Sequence, residues 1–134
     1  MNLTKTNYVE EAEKVVKKLN RDKRGNIQLT TSKIRNLLTM ISSIYNDVIH
    51  TGKEQLDDDF VERIQYLKMR FAYEAGRDGG NKRQKESSPV KDLIQKAEIW
   101  DVIDQIGRDK EKCIIFCRYM EAIVAYHKYA GGQD

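Results

Sequence analysis

A single proline and only two cysteines occur in the chain, and each scarcity closes off a class of protein. One proline and eight glycines leave little material for β-turns, and no segment sustains a period-two alternation of β-branched residues. The expected fold class is therefore all-α. Cys113 and Cys117 lie one helical turn apart inside an apolar run, which fits a reducing compartment better than a disulfide framework. No stretch approaches the roughly 18 consecutive apolar residues of a membrane span, and the opening MNLTKTNYVEEAEKVV lacks the apolar core of a signal peptide. A soluble, non-exported, cytoplasmic protein is expected.

What the sequence does contain is helical periodicity. Its 134 residues are the size of one domain, long enough to bury a core without disulfides or metal. The pattern reads as one bundle of about five helices over 1–134. The first runs from about Tyr8 to Leu19, with Val9, Ala12, Val15, Val16 and Leu19 on one face, and Gly25 in RDKRGN breaks it. The second opens at the N-cap candidates Thr30, Thr31 and Ser32 and buries Ile34, Leu37, Leu38, Ile41, Ile44, Tyr45 and Val48. The third opens at Asp57 to Asp59, buries Phe60, Ile64, Leu67 and Phe71, and ends near the AGRDGG of Ala75 to Gly80. A basic loop of low hydrophobicity, about 78–88, is expected to be mobile.

Ser88 and Pro89 supply an N-cap and an N1 proline for a fourth helix. Its stripe Val90, Leu93, Ile94 and Ala97 continues as Ile99, Val102, Ile103 and Ile106 on another face, so a kink or a contact with two layers is expected. The fifth, about Asp109 to Tyr129, is apolar on nearly every side apart from Arg118 and Glu121 and belongs in the middle of the bundle. Gly131 fits the C′ position after it.

The net charge of +3 says less than its distribution. From Lys14 to Arg35 there are eight basic residues and a single acid, Asp22, and the next acid is Asp47. Lys33 and Arg35 fall in the first turn of the second helix, where the macrodipole favours acids. Either they hang in water at a small cost, or an external phosphate supplies the negative charge, bound by free amides, cap hydroxyls and the two cations. On the second alternative, replacing both by glutamate should stabilise the free protein while weakening phosphate binding.

On the third helix, Arg63, Tyr66, Arg70, Tyr73 and Arg77 are spaced 3, 4, 3, 4, one stripe set roughly 120° from the apolar face. Guanidiniums alternating with phenols can track phosphates and contact sugars or bases. Alternatively, the tyrosines belong to the core and the arginines are solvated or paired with Glu62 and Glu74. Catalytic clusters are hardly offered. Cys113, Cys117 and His127 would need a fourth zinc ligand such as His50, and buried free cysteines are usually packing residues. Three adjacent aspartates at a helix start point in different directions and already serve as caps. The expectation is no enzyme, no metal and no cofactor.

TTSKIR, LKMRFAYEAGR and FCRYMEAIVAYHKYAGG resemble the small subunit of type III-A CRISPR interference complexes, the Csm complexes. The resemblance covers most of the chain from Tyr8 onward. It implies a small all-helical protein without catalytic activity, acting in antiviral defence. Several copies would stack beside the subunits that hold the guide RNA and line the path of the target RNA. Guide RNA, target RNA, other subunits and further copies of the chain are the implied partners, with no small-molecule substrate and no membrane. Lys33, Arg35, Arg70 and Arg77 would contact the RNA backbone, with Arg118 and Lys128 weaker candidates; Arg63 and Lys68 on the third helix complete the set. A helical DNA-binding regulator with LTTSKIRNLL in a major groove, or a protein-binding adaptor, are the competing classes.

Overall fold

The computed structural model describes residues 1–78 and 88–134. Among the described residues six α-helices follow one another: α1 (Tyr8–Lys18), α2 (Arg35–Val48), α3 (Asp58–Arg77), α4 (Pro89–Lys96), α5 (Ile99–Ile106) and α6 (Lys110–Tyr129). Among the described residues there is no β-strand, only isolated bridges that pair Arg21 with Ile27 and Gln55 with Asp109. The all-α expectation holds, and the expected loop falls largely on 79–87, outside the described residues. None of the described helices is long and apolar enough to cross a membrane.

One hydrophobic cluster draws on all six helices. α6 lies against α1, α2 and α5, while α3 packs on α2, α4 and α5. The central place of α6 follows from its composition, since Cys113, Phe116, Cys117, Tyr119, Met120 and Ile123 are all buried and cover more than one face. On α1 the expected stripe is one residue too wide. Val9 is 44% exposed, whereas Ala12, Val15, Val16 and Leu19 are buried. Phe60 is likewise only partly buried, at the edge of the core.

The expected fourth helix is two. α4 ends at Lys96, and Glu98 adopts left-handed backbone angles with φ +52°. This break turns the stripe of Ile99, Val102, Ile103 and Ile106 onto a new face, and all four are buried. Two caps read from sequence are made as expected: Ser88 Oγ accepts from Lys91 N–H and Asp57 from Phe60 N–H.

The C-terminal end of α6 forms a Schellman turn. Gly131 (φ +88°) donates to the Lys128 carbonyl and Gly132 to that of His127. Beneath the turn, buried His127 donates from Nε2 to the Leu29 carbonyl at 2.7 Å. The chain after Gly132 is thereby directed back toward the start of α2.

Candidate nucleic-acid interface

The first turn of the TTSKIR helix is not the open anion nest expected. Thr31–Ile34 is a 3₁₀ turn with no side-chain cap, and α2 proper begins at Arg35. The amides of Thr31 and Ser32 donate to the carbonyls of Gln133 and Asp134, at 3.1 and 2.9 Å. The returning tail thus satisfies the donors that a cap or a phosphate would take. Lys33 is also engaged, its ammonium paired with Asp78, whose other oxygen accepts from Val90 N–H. The negative charge that the sequence withholds from this turn is supplied from elsewhere in the chain. Arg35 is exposed and has no ion pair among the described residues.

α2 and α3 run antiparallel. Asp47 near the end of α2 meets Arg63 near the start of α3, while Lys33 before α2 meets Asp78 after α3. Between them lies a groove with Thr39, Met40 and Ser43 on one wall and Glu62, Arg63 and Tyr66 on the other. Arg63 and Tyr66 of the α3 stripe line it, and the stripe continues beyond the groove to Arg77, about 21 Å from Arg63 at 1.5 Å per residue. Its tyrosines are not core residues: Tyr66 is 51% and Tyr73 53% exposed.

Each arginine of the stripe is fixed by an acid. Arg63 pairs with Asp47 at 2.8 Å, not with Glu62, and donates to Ser43 Oγ at 3.1 Å. Arg70 and Arg77 both reach Glu74, at 3.2 and 3.1 Å, and the Arg70 guanidinium lies 4.6 Å from the centre of the Tyr73 ring. Arg63, Arg70 and Arg77 thus follow one face of α3, and Lys33 is tied to Asp78 just beyond its C-terminal end.

The remaining candidates are dispersed. Lys68 turns toward α5, where it pairs with Asp104 at 2.6 Å beside the Trp100 ring. Arg118 projects from α6 over Tyr45 of α2, 5.4 Å from its ring centre. Lys128 is exposed near the α6 terminus, 3.9 Å from Asp134. No group of three or more metal-ligating side chains occurs among the described residues. His127 holds the Leu29 carbonyl, and the buried thiols of Cys113 and Cys117 lie a turn apart. Interaction with the Cys113 thiol, with burial, holds the Cys117 thiol above its ordinary range, while the same pairing lowers Cys113.

Sequence reasoning named Glu74 only as a possible ion-pair partner and passed over Asp78 and Asp134. Glu74 was accessible from spacing, since it stands four residues after Arg70 and three before Arg77. The other two act across the fold and left no local signal.

A family model described as Csm2 Type III-A matches residues 3–133. A protein of Streptococcus thermophilus named CRISPR system Cms protein Csm2 is 43% identical over 132 residues, 98% of either chain. A protein of the same name from Mycobacterium tuberculosis (strain CDC 1551 / Oshkosh) is 31% identical over 134 residues, which covers 100% of this chain and 99% of its own. Another from Enterococcus italicus is 36% identical over 103 residues, 75% of this chain and 67% of its own.

Proposed function

The chain belongs to the Csm2 type III-A family, and from that membership we propose that it is a non-catalytic RNA-binding small subunit of a type III-A CRISPR effector complex. It works in the cytoplasm in antiviral defence, alongside other Csm subunits and further copies of itself. Its binding face is the α3 stripe with the adjoining wall of α2. Base pairing between guide and target RNA carries the sequence information, and this subunit adds backbone contacts that do not depend on sequence.

One observation carries the choice of face: Tyr66 and Tyr73 are half exposed between Arg63, Arg70 and Arg77. A tyrosine that serves the core does not leave half its surface in water. A phenol held between guanidiniums can pack on a ribose or base while its neighbours meet phosphates. The start of α2 is a weaker element of the face, because its leading amides and Lys33 already have partners within the chain. A role for that helix in a DNA major groove is disfavoured by its buried Leu37, Ile41, Ile44 and Val48.

The test is a salt series of RNA affinities for Arg70→Ala with Arg77→Ala, using single-stranded RNA, RNA duplex and DNA duplex. Single-stranded or duplex RNA should bind more weakly to the variant at low salt, with the deficit shrinking as salt rises. Unchanged RNA affinity in a folded variant would remove the stripe from the RNA path. A preference for duplex DNA would favour the regulator instead.

A further inference from the structure

We propose that Glu74 is a positioning residue whose carboxylate sets Arg70 and Arg77 as a two-pronged clamp for one RNA phosphate. The inference rests on the RNA-binding reading and assigns a task to a residue that would itself touch no RNA. Glu74 is 2% exposed, so its carboxylate is not a surface acid that would repel phosphate. It lies beneath two guanidiniums, one at each oxygen: Arg70 Nη2 is 3.2 Å from Oε1 and Arg77 Nη2 is 3.1 Å from Oε2.

Guanidinium carries five N–H donors in a rigid fork. An arginine that spends one edge on Glu74 keeps other donors for a second oxygen. Arg70 is further constrained by the face of Tyr73. A long, flexible side chain ordinarily loses rotamer freedom when it grips a ligand; here that ordering has already occurred in the free protein. Two guanidiniums and one carboxylate leave the cluster with one net positive charge, so it still attracts an anion.

A comparison of Glu74→Gln with Glu62→Gln separates this role from simple electrostatics. Glu62 is exposed on the same helix and has no ion pair among the described residues. Each variant raises the formal net charge by one from +3. Long-range attraction alone would make both bind RNA more tightly. The positioning role requires opposite signs: Glu62→Gln tightens binding of a single-stranded RNA oligomer, while Glu74→Gln weakens it about threefold or more, with a shallower salt dependence.

If Glu74→Gln does not fold, Arg77→Lys serves. It keeps the charge at an exposed position but cannot bridge a carboxylate and a phosphate with a planar fork, so affinity should again fall. Affinity that is unchanged or raised in either folded variant overturns the positioning role. The fate of the RNA reading is separate, because it fails only if the Arg70→Ala, Arg77→Ala protein binds RNA as well as the parent.

Discussion

Tyr119 and Ala97 meet at the break between α4 and α5: the phenol of Tyr119 donates to the Ala97 carbonyl at 3.0 Å, and both residues are fully buried. The bond joins the central helix to the corner where the chain changes face. Tyr119→Phe keeps the ring and leaves a buried acceptor unpaired, so it should cost about 1–3 kcal/mol in chemical denaturation.

Tyr119 also gives the protein an alkaline limit. Burial raises its phenol above the ordinary tyrosine value of 10, so the folded state retains a proton that the unfolded state gives up. Stability from this source is fully present below pH 10 and declines as pH rises beyond it. Denaturation followed on the alkaline side should show a smaller decline in Tyr119→Phe than in the parent.

At the Schellman turn, two adjacent glycines should fail differently. Gly131 has φ +88° but open space around it, so alanine there pays only the left-handed conformation, about 1 kcal/mol. At Gly132 an added Cβ would lie 2.2 to 2.4 Å from the buried His127 ring, and either the ring or the tail must move. Gly132→Ala should show the larger fall in thermal midpoint and should deprotect the Thr31 and Ser32 amides in hydrogen exchange.

For Lys33 the structure reverses the sign expected from the helix dipole. Lys33→Glu would set a carboxylate against Asp78, whose side chain is largely buried, and should destabilise the free protein by about 1 kcal/mol. Arg35→Glu, exposed and unpaired among the described residues, should change stability by no more than a few tenths of a kcal/mol. Thermal melts of the two single variants distinguish these effects where the double variant would merge them.

Both cysteines are buried. Their pairing, with burial, pushes the Cys117 thiol up, while the same pairing pushes the Cys113 thiol down. Burial alone must therefore shield Cys113, so in the folded protein both should label slowly with a thiol reagent at neutral pH, whereas unfolding should release two reactive groups. Fast labelling of the native state would show that α6 opens locally.

Five helical segments left clear traces in the residue pattern because burial on one side of a helix imposes a period. The stripe that changes face at Ile99 reads from sequence as a kink or a contact with two layers; that it is a break into two helices depends on the left-handed Glu98. What could not be read was which groups satisfy the start of α2, because the acceptors lie in residues 133 and 134 and the counter-charge to Lys33 lies at 78. For the stripe, spacing identified a shared face, yet a tyrosine in the core and a tyrosine in water fit the same spacing. Only the packing of α2 and α4 beside α3 decides which of the two it is.

Thr31 and Asp134 touch although they stand 103 residues apart, which puts the 3₁₀ turn before α2 among the highest contact-order features of the fold. Local helix formation can propagate from Arg35 to Val48 early, but the turn before it lacks acceptors until the end of α6 arrives. Gly132→Ala, which disturbs the path of the returning tail, should therefore speed unfolding and leave the folding rate nearly unchanged, the kinetic signature of a contact made after the transition state.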